Sequence, residues 1–426
     1  MRKKHLLFWV FLLGSAALAA QAPEFANYFQ DKTLRLSYYH CGNSETEGYY
    51  FGELLEEPYW GGSKVNLIDT NFYGIYYLNL YDETSGKLIY SRGYNTLFGE
   101  WQTMQKTPAD NKASQENVVM PFPKNKARIE ICKRNDRGVF EKKFEYGVDP
   151  SSIRIYPNKR HRYPVRDVAV NGDPAHKVDI VLIPDGYTAE EMDKFFEDCK
   201  AFVRGFFSFS PFKESASRFN VRAVMAPSPE SGVGNPVARE YPNTLLRSAF
   251  YTFDSERYIM TEEDNTLRDI ASNAPYDLIY VIANSAQYGG GGIYNHYGLS
   301  VSGNMASAAV YVHEFGHLFA GLGDEYVEIG NETVDFRPDV EPYEANLTTL
   351  ADFSRKWKDM VEASTPIPTE PDPEKPWRIG AYEGGGYKAK GVYRPTPDCM
   401  MRTLEGGRFC PVCTRAILRQ IDFYAK

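Results

Sequence analysis

The chain has 426 residues, enough for two domains of ordinary size, and its hydrophobic (43%) and charged (24%) fractions exclude both a disordered chain and a membrane bundle. Its formal net charge is −8 and no long Lys/Arg run offsets it, so nucleic acid is excluded as the main partner. Aromatic residues make up 15% of the chain, which fits β-rich structure and aromatic-lined clefts.

Residues 1–19 have the layout of a secretory signal peptide. Arg2, Lys3 and Lys4 form a positive start, Leu6 to Leu13 is apolar, and Ala17 and Ala19 set a small-x-small cleavage site after Ala19. The apolar run is well short of the ~20 residues that span a bilayer, so cleavage is expected over anchoring. Loss of the three basic residues takes the mature chain to about −11. That chain carries no membrane span, and its expected destination is the periplasm, the cell surface or the medium.

Residues 20–155 read as a β-rich domain. Thr33 to Tyr38 alternates, and Tyr73 to Tyr81, Ala127 to Ile131 and Val139 to Phe144 are further strand-like runs. Asp82-Glu83-Thr84-Ser85-Gly86 and Asn135-Asp136-Arg137-Gly138 are turn signals between them. Short strands at hairpin spacing predict a β-sandwich, with no catalytic constellation in this half. Asp149 to Asp173, rich in Pro, Ser, Arg and Asn, reads as a linker.

Residues 156–426 change to α/β character. Val178 to Ile183 is an apolar run read as a buried strand, and Thr188 with Glu191 forms a capping box that opens a helix to about Phe206. Asn220 to Met225 and Tyr276 to Ile282 supply further strands, giving a mixed sheet with helices. Pro366 to Pro376 is an exposed loop by composition. Tyr288 to Tyr294 holds four consecutive glycines. They read either as a flexible loop or as a stretch that a peptide backbone approaches closely.

Within a predicted helix, Ala308 to Ala320, stands His313-Glu314-Phe315-Gly316-His317. Residues four apart share a helical face, so both imidazoles reach one ion. Zn²⁺ takes imidazole nitrogen at about 2.0–2.1 Å, and its catalytic sites add a third protein ligand and a water. Glu314 stands beside the first ligand, where a carboxylate takes that water's proton and passes it to the leaving nitrogen. The chain has seven His, so a chance occurrence of this spacing is on the order of one in a hundred. His296 alone reads more readily as a packed or surface residue.

No histidine follows His317, so the third ligand must be a carboxylate. Gly321 ends the helix through a left-handed conformation and brings Asp324 back toward the ion. Glu325 is the neighbouring alternative, and Glu344 or Glu362 would serve if the ligand came from a separate helix. The carboxylate not used becomes a partner that orients a ligand or caps the turn. Tyr326 is a candidate oxyanion partner on chemistry alone. The expected cofactor is one Zn²⁺ per chain.

Six cysteines are present: Cys41, Cys132, Cys199, Cys399, Cys410 and Cys413. In an exported chain Cys399 with Cys410 or Cys413 is a candidate disulfide. A zinc knuckle at Cys410-Pro-Val-Cys413 is the competing reading. It needs four ligands, and no second Cys-x-x-Cys or His pair stands nearby in the sequence.

The run from His313 to Tyr326, HEFGHLFAGLGDEY, resembles the metzincin zinc peptidases, with the glycine and the terminal acid each one residue later than usual. More narrowly it is similar to the bacterial IgA-peptidase family of metallopeptidases. Asp398-Cys399-Met400-Met401-Arg402 resembles the methionine turn beneath such a metal, with Met401 in the methionine's place. Arg408 to Cys413 and the amphipathic segment to about Tyr424 also look like that family. The resemblance covers about Val178 to Lys426, and more weakly residues 25 to 146. It implies a β-sandwich followed by a metzincin-like zinc peptidase domain with an active-site helix, acting on a protein or peptide. Cleavage of immunoglobulin A is characterised in that family; glycoproteins, envelope peptides and other proteins are equally open here. Two other functions stand beside it: a zinc amidase or deacylase acting on a non-peptide amide, and a glycan- or protein-binding module with a vestigial zinc site.

Overall fold

The computed structural model describes residues 22–104, 110–328 and 336–426; the segment read as an export signal lies outside them. The N-terminal part comprises α1 (Phe25–Tyr28), β1 (Phe29–Gly42), β2 (Glu47–Glu57), β3 (Tyr76–Asp82), β4 (Leu88–Tyr94), α2 (Leu97–Met104), β5 (Lys112–Pro123), β6 (Ala127–Arg134), β7 (Phe140–Val148) and β8 (Ile155–Pro157). Its strands form two four-stranded sheets, ordered β5-β1-β2-β8 and β4-β3-β6-β7. Leu34, Leu36 and Tyr38 of the first sheet share one apolar core with Leu78, Leu80, Ile129 and Ile131 of the second. Phe29, ahead of the register shift between Gln30 and Thr33, enters this core at an odd position, and strand periodicity explains Leu34 to Tyr38 of β1. Its even-numbered apolar residues enter that core, while Arg35 and Ser37 point the other way and bond to Asp269 and Asn265 of the second half.

The second half comprises β9 (Val165–Ala169), β10 (Val178–Asp185), α3 (Met192–Phe206), β11 (Phe219–Val224), α4 (Asp264–Ala271), β12 (Leu278–Ala283), β13 (Gly290–Ile293), β14 (Tyr297–Val301), α5 (Ser307–Ala320), β15 (Tyr382–Gly385), β16 (Lys388–Arg394) and α6 (Pro411–Tyr424). A six-stranded sheet runs β13-β14-β12-β10-β11-β9. Its four inner strands are parallel, and β13 and β9 close the edges antiparallel. Every residue of β10 is buried, because a central parallel strand is covered on both faces. Val178, Ile180 and Leu182 face α3, α5 and α6, whereas Val181 and Ile183 face α4.

The capping box opens its helix as expected, with the Thr188 N–H donating to Glu191 Oε2 at 2.9 Å. Phe206 of α3 stacks at 4.3 Å on Phe212 and meets Phe315 of α5 edge-on at 4.6 Å. Burial of each such ring contributes roughly 1.5–3 kcal/mol, which fixes α5 against the sheet. The expected linker is not a free segment. Strand β8 pairs parallel with β2, and β9 pairs antiparallel with β11. Strands of three and five residues are too short to show a period, and their flanking Pro and Arg masked them. Among the described residues no helix is long and apolar enough to cross a membrane.

Candidate active site

Helix α5 carries His313, Glu314 and His317 into a cleft between the two halves of the chain. It ends at Gly321, which takes the left-handed conformation (φ 57°, ψ 35°), and the Leu322 N–H returns to the Gly316 carbonyl at 3.3 Å. That reversal brings Asp324 against the histidines. Its Oδ1 lies 3.2 Å from His313 Nε2 and 3.4 Å from His317 Nε2, and the two Nε2 atoms are 3.2 Å apart.

The protons follow from the partners. His313 Nδ1 donates to the Met400 carbonyl at 3.0 Å, and His317 Nδ1 donates to the Leu322 carbonyl at 2.6 Å. A carbonyl only accepts, so in each neutral imidazole Nε2 holds a lone pair. Asp324 Oδ1 is buried without a hydrogen-bond donor. Three lone pairs thus converge on one point, an arrangement that a shared cation satisfies and neutral groups do not. Burial lowers the His317 pKa, but the Asp324 carboxylate overrides this and lifts it to about 9. A proton and a metal therefore compete for these lone pairs. Burial likewise pushes the Glu314 carboxyl above its usual value, against the pull of the two histidines.

Residues far away in sequence complete the cluster. Tyr387, in the β15–β16 turn, donates its hydroxyl to Asp324 Oδ2 through a short hydrogen bond. The same turn clamps the Asp324 backbone, with the Gly386 N–H donating to the Asp324 carbonyl at 2.7 Å and the Tyr387 N–H to the Tyr326 carbonyl at 3.0 Å. Tyr326 lines the cleft, and its hydroxyl accepts from Arg257 Nη2 at 2.9 Å. Met401 is fully buried, and a Cβ placed on Gly316 would lie 2.8 Å from its sulfur, so it packs against the helix between the two histidines. Met400 contributes the carbonyl that orients His313.

Other expectations resolve differently. Glu325 is wholly buried and bonds to Asn346 and Cys413 rather than lining the cleft. Glu344 borders the cleft, yet neither it nor Glu362 joins the His/Asp cluster. His296 is buried beside Arg268, a packed histidine. The glycine run forms the edge strand β13, and its glycines admit the helix. A Cβ on Gly292 would stand 2.3 Å from the Glu314 carbonyl oxygen, and one on Gly290 3.0 Å from Glu314 Oε1. At Gly290 the outer edge is already bonded to the Arg257 carbonyl. The six cysteines all carry free thiols, so the expected disulfide is not formed.

Sequence reasoning missed the contribution of the N-terminal half. Glu100 of α2 lines the cleft and accepts a hydrogen bond from the Tyr258 hydroxyl at 2.6 Å. Burial raises its pKa to about 7, opposed by Tyr258. Asn95 binds the second half twice, through Nδ2 to the Tyr343 hydroxyl and through its N–H to the Tyr294 carbonyl. Only long-range packing brings these groups in, and no local pattern announces them.

Residues 167–375 and 370–421 match the family model described as IgA Peptidase M64. Residues 24–145 match the model described as Peptidase M64 N-terminus. No curated protein matches the chain.

Proposed function

The chain belongs to the IgA peptidase M64 family and is a peptidase, and from that premise we propose that it is an exported, zinc-dependent endopeptidase cleaving a protein substrate. The observation that carries the zinc reading is the convergence of His313 Nε2, His317 Nε2 and the orphaned Asp324 Oδ1 on one point. Two imidazoles and one carboxylate are a donor set suited to Zn²⁺ with a position left for water. In that site the metal supplies a Lewis acid and a more acidic water.

The protein's own groups do the rest. Glu314, raised by burial, is poised to accept a proton from the attacking water and return it to the departing amine. Tyr326, held by Arg257, is set to donate to the oxygen that gains charge at the scissile carbonyl. Tyr387 keeps Asp324 oriented, and the two backbone carbonyls keep both imidazoles in the ligating tautomer. The left-handed Gly321 turn and Met401 beneath α5 support a metzincin-like active site. The cleft walled by both halves, lined by polar and apolar groups alike, suits an extended stretch of polypeptide.

The test is digestion of a proteome-derived peptide library by residues 20–426 beside the Glu314→Gln variant. Cuts present with the parent and absent with the variant are expected, and they would also print the subsite preferences. A library left intact by the zinc-loaded parent, together with intact folded proteins, would overturn the endopeptidase reading.

A further inference from the structure

One residue after Asp324 the chain sends Glu325 to the opposite side, into the core between α5 and α6. There its carboxylate meets Cys399, Cys410 and Cys413, all four side chains being fully buried. We propose that this cluster is a second metal site, a closed structural Zn²⁺ centre with three thiolates and one carboxylate. It is separate from the site in the cleft and braces it.

The distances distinguish a metal centre from a disulfide. Cys399 Sγ and Cys413 Sγ are 3.7 Å apart, and Cys413 Sγ lies 3.2 Å from Glu325 Oε1. A tetrahedral Zn²⁺ with sulfur at about 2.3 Å and oxygen at about 2.0 Å has S–S edges of about 3.8 Å and S–O edges of about 3.5 Å. A disulfide instead needs about 2.05 Å and leaves the third sulfur unused. All four donor atoms lie within 4.8 Å of one another.

The surroundings call for a cation. Glu325 Oε1 accepts from Asn346 at 2.9 Å, but Oε2 has no donor although the residue is completely buried. The rest of the shell is mostly apolar, including Phe409, Val412 and Ile417. The guanidinium of Arg394, which draws on Glu325 through its charge, makes its hydrogen bonds to the Glu383 and Gly384 carbonyls, so a buried carboxylate and three thiols are left without a bonded cation. The backbone is already arranged for thiolates. The Cys410 N–H points at Cys399 Sγ at 3.2 Å and the Cys413 N–H at Cys410 Sγ at 3.4 Å. Cys410 also caps the N-terminus of the fourteen-residue helix α6, where the helix dipole favours negative sulfur. The Cys410-Pro-Val-Cys413 spacing is that of a knuckle, and the fold supplies the two ligands that the local sequence lacks.

Such a centre would tie the turn bearing Asp324 and the methionine segment 399–401, both of which line the cleft, to the start of α6. The Glu325 N–H already donates to the Met401 carbonyl at 2.7 Å, and the adjoining Met400 carbonyl holds His313.

The test is the zinc content and thiol state of the exported protein, purified without chelator or reductant. Two zinc ions per chain are expected, with one retained by the His313→Ala/His317→Ala variant. In that variant Co²⁺ should give sulfur-to-metal charge-transfer absorption, which a His/His/Asp site has no sulfur to produce. Glu325→Gln keeps every thiol and is expected to weaken this ion about tenfold or more while the cleft ion stays. Six reactive thiols should appear on denaturation in chelator. A double-histidine variant that holds no zinc, a cobalt form of it without that absorption, or only four reactive thiols would each overturn the proposal.

Discussion

Asp324 and Glu325 are adjacent carboxylates with opposite surroundings. Asp324 turns toward a cleft, meets two largely buried imidazoles and receives the hydroxyl of Tyr387. Glu325 turns into the apolar core and meets three thiols. The first cluster has nitrogen and oxygen donors and an open side; the second has mostly sulfur and is sealed. Open coordination suits a site where substrate must enter, and closed coordination suits a brace. The difference is set by backbone direction after Gly321, since neighbouring side chains of an extended segment point to opposite faces.

The sharpest way to break that contrast is His313→Ala. It should abolish peptide cleavage, by on the order of 10⁴-fold or more, and remove the cleft ion, as read by kcat/KM and metal analysis. Glu314→Gln is expected to cost roughly 10²–10⁴-fold in kcat with the zinc content unchanged, because it removes proton transfer and not a ligand. If zinc were lost as well, Glu314 would be holding the site rather than serving it. Tyr387→Phe leaves Asp324 Oδ2 without its donor and should weaken zinc binding about 10–100-fold, measured by competition with a chelator.

The smallest effect concerns the wall of the cleft and tests the metal-free protein. Burial pushes the Glu100 carboxyl up to about 7 from its ordinary 4.5. Between those values the folded state binds more protons than the unfolded one, so stability falls as pH rises from about 4.5 to about 7 and stays lower above. Glu100→Gln should therefore raise stability by roughly 1–3 kcal/mol near pH 8, with the gain vanishing near pH 4, read by urea denaturation of chelated protein. An equal gain at both pH values would show that Glu100 is not the titrating group.

The parts of this molecule that a reader of the sequence finds are those with local causes. The His313–His317 spacing, the Gly321 cap, the Thr188/Glu191 box and the buried run of β10 each depend on residues within a few positions. What stayed hidden has partners at long range. Tyr387 lies far along the chain from Asp324, Glu100 comes from the other half, and Glu325 gains its role only when α6 packs against α5. The Cys410-Pro-Val-Cys413 spacing is visible in the sequence, but Glu325, 85 residues before Cys410, joins it only through the fold. The β8 and β9 strands were lost because three and five residues give no period to detect. The glycine run reads equally as a flexible loop or as a place of close backbone approach; it forms β13, and the backbone that comes close is that of α5.

Arg35 has a consequence for how the whole chain comes apart. It is fully buried on β1, paired with Glu57 at 3.0 Å and with Asp269 of α4 across the boundary between the halves. Separating the halves would leave Arg35 and Glu57 on one face and Asp269 on the other, parting one ion pair of a buried trio. Two halves with cores of their own ordinarily permit two independent melting events. Here a buried ion pair spans the boundary, so one shared transition is expected, with a lesion in the β-sheets felt as lost integrity in the peptidase half.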